Sequence, residues 1–239
     1  MTALISPIAR VPVSESLYRQ LQERITSGAW KAGQRLPSER ALSEESGVNR
    51  NGVREAIKRL QQAGLVAVQQ GGNHEVLDLR REAGLELLPS LVVDARGRFQ
   101  PAVVAGLMSM RSVIAPEIAA EAALHGGAAL ADELEALLAR MELDRKRPRL
   151  LQEHALTFWQ ALVDQCDNIA YQLAFNTFRK TYLKAWDRLT VTMAAEFGDL
   201  LNLRAIASAV RSAQADAARA AARRHVELGR AGLTAALRT

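Results

Sequence analysis

The sequence predicts a mainly α-helical protein: three helices and a β-hairpin, followed by an antiparallel bundle of six to seven helices. Three observations carry this. Apolar residues recur three and four apart over most of the chain, the period of a helix with one buried face. One short stretch, residues 65–79, instead sets two apolar runs on either side of a Gly-rich turn. Beyond residue 80 the chain becomes Ala- and Leu-rich with few helix breakers. The expected division is residues 1–80 for the first domain, 81–98 for a linker helix and connection, and 99–239 for the helical domain.

The elements of the first domain follow in order. Ser14 is placed to cap a helix running to Ser27, with Leu17, Leu21 and Ile25 on one face, and Gly28 stops it. Gly33 to Pro37 reads as a turn. Ser38 and Glu39 start a second helix that Gly47 ends. Asn49 caps a third helix over 49–62, whose buried stripe is Val53, Ala56, Ile57 and Leu60. Leu65–Val68 and Val76–Leu79 form the hairpin, with Gln69–Asn73 as its turn. In the second part Leu85, Leu87, Leu88 and Leu91 mark a short linking helix. Helices are then expected over 101–124, 128–146, 149–167, 169–190, 193–211 and 213–236.

Composition bounds the function. The 239 residues are 49% hydrophobic and 24% charged, an ordinary globular balance. The net charge is +5, and residues 1–80 hold eleven basic against eight acidic groups, so the excess is densest there. No uncharged apolar run reaches the ~18 residues of a membrane span, and the N-terminus lacks the pattern of a secretory signal. One cysteine, Cys166, cannot form an intramolecular disulfide, and a cytoplasmic setting is expected. Its acidic neighbours Asp164 and Asp167 disfavour a thiolate, so a redox role is not expected. No phosphate loop, nucleophile triad or carboxylate pair in a defined register occurs. The reading is of a non-enzyme without cofactor.

Two short helices around a tight turn at Gly47, the second amphipathic, constitute a helix-turn-helix. Opposite the apolar stripe of the second lie Asn49, Arg50, Asn51, Arg54 and Lys58. Asn and Arg have the paired donors and acceptors that read adenine and guanine edges in the major groove. The Gly-rich hairpin tip allows its backbone close to phosphate or minor groove. Double-stranded DNA is therefore the expected partner, with a homodimer reading an inverted repeat. The competing reading is a helical scaffold whose basic face binds another protein.

These residues resemble the winged helix-turn-helix of GntR-type bacterial transcription regulators. The resemblance runs from Val13-Ser-Glu-Ser-Leu-Tyr through Gly33-Gln-Arg-Leu-Pro-Ser-Glu-Arg40 and Gly47-Val-Asn-Arg-Asn-Gly-Val-Arg54 to Gly64-Leu-Val and the wing. It implies that Arg40, Asn49, Arg50, Asn51 and Arg54 contact DNA and that Gln70 and Gly71 sit at the wing tip. The family usually has Ser or Thr where Asn49, Asn51 and Gly52 stand here, and Gly52 has no side chain to donate.

The second part resembles the effector-binding helical domain of the FadR subfamily. Its anchors are Leu107-Met-Ser-Met-Arg111-Ser-Val-Ile-Ala-Pro-Glu117, then Phe158-Trp159, Asn168 and His225. Most members hold a metal ion with one Asp and three His. In the register set by Phe158 the first pair is replaced by Ala155 and Trp159, and a later His by Leu203; His225 alone remains. A cluster of Glu153, His154 and His225 is the residual route to a metal, and no metal is expected. The resemblance implies an apolar effector pocket with Arg111 facing it, Arg suiting carboxylate or phosphate; an internal ion pair with Glu117 or Asp187 is the competing role. Trp159, Asn176, Tyr182, Leu203 and His225 complete the expected effector set. The expected effector is a long-chain acyl-coenzyme A or another amphipathic anion, with a small organic acid as the alternative, and its expected effect is on repression.

Overall fold

The computed structural model describes residues 13–69, 73–94 and 97–237. They form two compact units that divide between Leu87 and Leu88. The architecture is mainly helical, with a helix-turn-helix and a small antiparallel hairpin in the first unit and a many-helix second unit.

In the first unit α1 (Val13–Thr26) buries Leu17, Leu21 and Ile25. Ser14 is a buried residue within this helix and not its cap. Ser38 caps α2 (Glu39–Ser46) by accepting from Ala41 N at 3.2 Å. Gly47 ends that helix at φ 68°, and its N–H reaches Ser43 O. A left-handed residue here reverses the chain within three positions, and glycine carries no Cβ to oppose it. Asn49 caps α3 (Arg50–Gln62), its Oδ1 accepting from Gly52 N at 2.9 Å. Val53, Ala56, Ile57 and Leu60 are all buried, and α3 packs on α1 and α2.

The hairpin departs from its expected register. β1 (Val66–Val68) pairs with β2 (His74–Val76), joining Val66 to Val76 and Val68 to His74. Pairing therefore starts two residues earlier on the second run. Leu79, expected in a strand, opens the short α4 (Leu79–Glu82), because Asp78 accepts from Arg80 N and caps a helix there. The stretch read as a turn at Gly33–Pro37 also pairs. Gly33 N donates to Val76 O, Val76 N to Gln34 O and Leu36 N to His74 O, so the free edge of β2 is covered.

The second unit is arranged around α6 (Pro101–His125), after the short α5 (Leu88–Leu91). By length and composition α6 could cross a membrane, yet it carries Arg111, Glu117 and Glu121 and buries ten residues in the core. Pro116 lies inside it and removes one backbone donor without ending the helix. Around it stand α7 (Gly127–Leu143), α8 (Pro148–Asp164), α9 (Ile169–Lys184), α10 (Trp186–Thr192), α11 (Ala194–Phe197), α12 (Leu200–Arg211) and α13 (Ala215–Ala236). The most extensive pairing is α6 with α13. Small buried residues permit it: Ala115, Ala119, Ala122 and Ala123 on α6, Ala218, Ala221, Ala222 and Gly229 on α13. Phe158, Leu134, Leu162 and Ile206 are fully buried, each such side chain being worth about 1.5–3 kcal/mol of burial.

Two expected long helices are broken. The segment 169–190 divides at Ala185, a buried residue whose backbone leaves helical geometry (ψ 17°). The segment 193–211 divides at Gly198-Asp199, because Asp199 caps α12 by accepting from Asn202 N. The break leaves α11 as a single four-residue turn that ends in Glu196 and Phe197.

Candidate functional site

Two sites are built, one in each unit. In the first, the helical period puts Val53, Ala56, Ile57 and Leu60 inward and leaves Asn49, Arg50, Asn51, Arg54 and Lys58 exposed on the opposite side. Arg40 is exposed on α2, 3.6 Å from Glu44. Arg54 Nε donates to Glu39 at 2.8 Å, an ion pair between α2 and α3 that the sequence reading did not anticipate. The Oδ1 of Asn49 is committed to the cap. A Cβ on Gly52 would come within 2.7 Å of Val48 Cγ1, so the side chain that the family usually carries there would need Val48 to move. Gln70 and Gly71 lie outside the described residues. Arg59, on the flank of α3, is tied to Glu15 and stacks 4.2 Å over the Tyr18 ring; it fastens α3 to α1.

In the second unit a cavity of about 90 Å³ lies between α6, α8, α9 and the short helices α10 and α11. One stripe of α6 faces it, Val104, Leu107, Met108, Arg111, Ala115 and Ile118, at spacings of three and four. Phe175, Phe178, Arg179 and Tyr182 face it from α9. Ala155 and Trp159 face it from α8, so the two positions that would carry the first metal-ligating pair present a methyl group and an indole.

Of the expected effector residues, Arg111, Trp159 and Tyr182 line the cavity. Asn176, Leu203 and His225 do not. Asn176 stands one residue off the α9 stripe, turned by about 100°. Leu203 is fully buried in the core of α12. His225 is fully buried, its ring centroid 6.0 Å from that of Trp159.

Arg111 has a partner that the sequence reading did not name. Its guanidinium makes two hydrogen bonds to the Glu196 carboxylate, one of them 2.8 Å long. Glu117 pairs with Arg219 and Asp187 with Arg149. The Arg111 side chain is 17% exposed and that of Glu196 2%. Burial alone would lower the Arg111 pKa, but the charge and hydrogen bonds of Glu196 outweigh it, so the group is held above its ordinary value. Burial, reinforced by Glu196, pushes Tyr182 well above the usual phenol range.

Behind this pair His225 Nδ1 lies 3.1 Å from Asp199 Oδ2. A carboxylate can only accept, so this nitrogen carries the proton. Burial works to raise the Asp199 pKa, yet the bonds from His225 and Asn202 bring it below its ordinary value. His225 Nε2 is 3.7 Å from Glu196 and has no hydrogen-bond partner. His154 is bound instead to Asp144 at 2.9 Å, and the grouping of Glu153, His154 and His225 does not form. Among the described residues no three His, Cys, Asp or Glu side chains gather as metal ligands. The donor set does not fit the family's divalent ion: both Glu196 oxygens are engaged by a guanidinium, itself a cation that would repel the ion.

Residues 13–76 match the bacterial regulatory proteins of the gntR family, and residues 106–228 match the FCD domain. The HTH-type transcriptional regulator Mce2R of Mycobacterium tuberculosis is 36% identical over 98% of this chain and 96% of its own. The fatty acid metabolism regulator protein of Haemophilus influenzae is 25% identical over 67% of this chain and 66% of its own. Among solved structures, Streptococcus agalactiae GntR is similar with a TM-score of 0.48 and 23% identity, over 90% of this chain and 97% of that one. A helix-turn-helix with its polar face outward, followed by a helical domain around a cavity, thus stands in a chain matched along nearly its whole length, and the chain belongs to the GntR family of bacterial transcription regulators, with an FCD domain as its second part.

Proposed function

We propose that this protein is a sequence-specific repressor that binds an inverted-repeat operator as a cytoplasmic homodimer, and that a small amphipathic molecule in the helical-domain cavity controls its affinity. The observation that carries the DNA reading is the outward face of α3, where Asn49, Arg50, Asn51 and Arg54 stand exposed opposite a fully buried stripe. Arg40 supports it from α2, and the family resemblance adds Gln70 and Gly71 as candidate DNA contacts. The first turn of a recognition helix meets base edges first, and a dimer gains by reading two half-sites. The effector would act by fitting one arrangement of the dimer better than another; equal affinity for both would change nothing.

For the effector, the apolar lining of the cavity supports a ligand with an apolar body, and the relationship to a fatty acid metabolism regulator is in keeping with an acyl compound. The volume argues for a second reading. About 90 Å³ is less than the ~150 Å³ apolar cavity that admits benzene. A long acyl chain therefore requires the surrounding helices to separate, whereas a short compound does not.

The test is fluorescence anisotropy with a promoter fragment and with bulk DNA. The wild type should prefer its operator by orders of magnitude at physiological salt. Arg54→Ala should abolish that preference while the dimer stays folded, and unchanged operator affinity would refute the assignment. Release by an acyl thioester, but not by short compounds, would decide between the two effector readings.

A further inference from the structure

From the cavity's polar atoms we infer the chemical class of its occupant: an uncharged compound with an apolar body and one hydrogen-bond acceptor, such as a ketone, ester or amide carbonyl, received by the indole N–H of Trp159. This rests on the reading of the cavity as the effector site.

The argument starts from which polar groups are already committed. Arg111 and Glu196 satisfy each other through two hydrogen bonds and cancel in charge. Thr181 donates to Thr177 O at 2.7 Å. Among the described residues that line the cavity, Trp159 Nε1 is the buried side-chain polar atom left without a partner. Trp159 is 6% exposed, so solvent does not supply one. An indole nitrogen only donates, and it demands an acceptor. A water molecule bridging the indole to His225 Nε2, the other unpartnered nitrogen nearby, is the competing filler, and an indole proton that stays in place when ketone is added would reveal it. A carbonyl needs one donor, and its hydrocarbon part suits Leu107, Met108, Phe175 and Leu189.

The same inventory disfavours a free carboxylate beside Trp159, since Arg179, the other cation on the wall, is an exposed residue. The guanidinium beside Trp159, 6.0 Å from its ring, is already neutralised. An added anion would meet the Glu196 carboxylate, and it could claim Arg111 only by stranding that carboxylate in a buried site. The indole itself stands at a position where the family resemblance leads one to expect a metal-ligating histidine.

The experiment uses the full chain labelled with ¹⁵N and three probes of one shape: cyclopentanone, methylcyclopentane and cyclopentanecarboxylate. The chain has three tryptophans, and Trp159→Phe assigns the indole resonance. Cyclopentanone should move the Trp159 indole proton downfield, and methylcyclopentane should not. The affinity ratio of ketone to hydrocarbon should fall about five- to tenfold in Trp159→Phe, the worth of one buried hydrogen bond. Should the variant fail to fold, the indole shift in the wild type decides. An unchanged ratio, a stationary indole proton, or tighter binding of the carboxylate than of the ketone overturns the inference and leaves the cavity as an effector site. Failure of all three probes to bind overturns that reading as well.

Discussion

The pair between Arg111 and Glu196 is the sharpest handle on the helical domain. It joins residues 85 apart in sequence, from the middle of α6 to the four-residue α11, and both groups are largely out of water. Removing one partner of such a pair strands the other charge, at about 3–5 kcal/mol. For Glu196→Leu the 17% exposure of the Arg111 side chain admits some water, so the lower end, about 3 kcal/mol, is expected. Arg111→Met strands Glu196, whose side chain is 2% exposed, and a loss of at least about 3 kcal/mol is expected. The double variant carries no unpaired charge and should return to within about 1 kcal/mol of the wild type. Urea unfolding measures this, followed by helical circular dichroism and by the fluorescence of Trp159 and Trp186. With a slope of ~1–3 kcal/mol per molar urea, a single variant should shift the midpoint by roughly 1–3 M. A penalty below about 1 kcal/mol for Glu196→Leu, or a double variant as unstable as the two singles added together, would refute the reasoning.

Four further outcomes are expected from particular groups. Asn49→Ala removes the Oδ1 acceptor from Gly52 N and should cost about 1 kcal/mol of stability, measured by the unfolding midpoint of the N-terminal unit. Ala213 sits at φ 53° between α12 and α13, so Ala213→Gly should raise the thermal midpoint, by roughly 0.5–1 kcal/mol in stability. Burial, with Glu121 and Asp164, pushes the Cys166 thiol up to about 11, and its Sγ lies within bonding distance of the Ile118 and Leu162 carbonyls. Alkylation at pH 8 should therefore be slow in the folded chain and accelerate on unfolding; fast labelling of the native protein would contradict this. The folded-state pKa of Asp199 is lowered, so its contribution to stability is present above the ordinary aspartate value near 4 and is lost as pH falls through the lower folded value. Asp199→Asn should flatten the acid limb of the stability curve in that window, and an unaltered limb would show that Asp199 contributes nothing to it.

What the sequence made legible was local. The α3 stripe and its polar back come from a 3.6-residue period within thirteen residues, and the structure holds every inward position that the period names. The caps at Ser38 and Asn49 are equally local, each satisfied by an N–H three residues on. The hairpin register was not, because two short apolar runs can pair in more than one offset, and the deciding contact came from Gly33–Leu36 on the far edge of β2. The partner of Arg111 was illegible for a similar reason. Glu196 lies in a stretch read as one helix through residue 211, whereas the structure sets it in the short α11 that ends at Gly198. A sequence signal existed in retrospect: Asp199 with Asn202 three residues later is a capping pattern inside a helical run. The effector set divided as well. Arg111, Trp159 and Tyr182, named from the family resemblance, line the cavity, whereas Leu203 and His225 are fully buried away from it.

The ion pair between Glu39 and Arg54 has a consequence for how binding would respond to salt. In the free protein that guanidinium already holds a counter-charge, as does Arg40 beside Glu44. When a phosphate or a base takes over such an arginine, the DNA sheds condensed cations, but the abandoned carboxylate recruits one from solution. Net ion release per contact then falls short of one for one. The slope of log affinity against log salt would accordingly count fewer contacts than there are arginines on the DNA, and neutralising Glu39 would make that slope steeper without adding a contact.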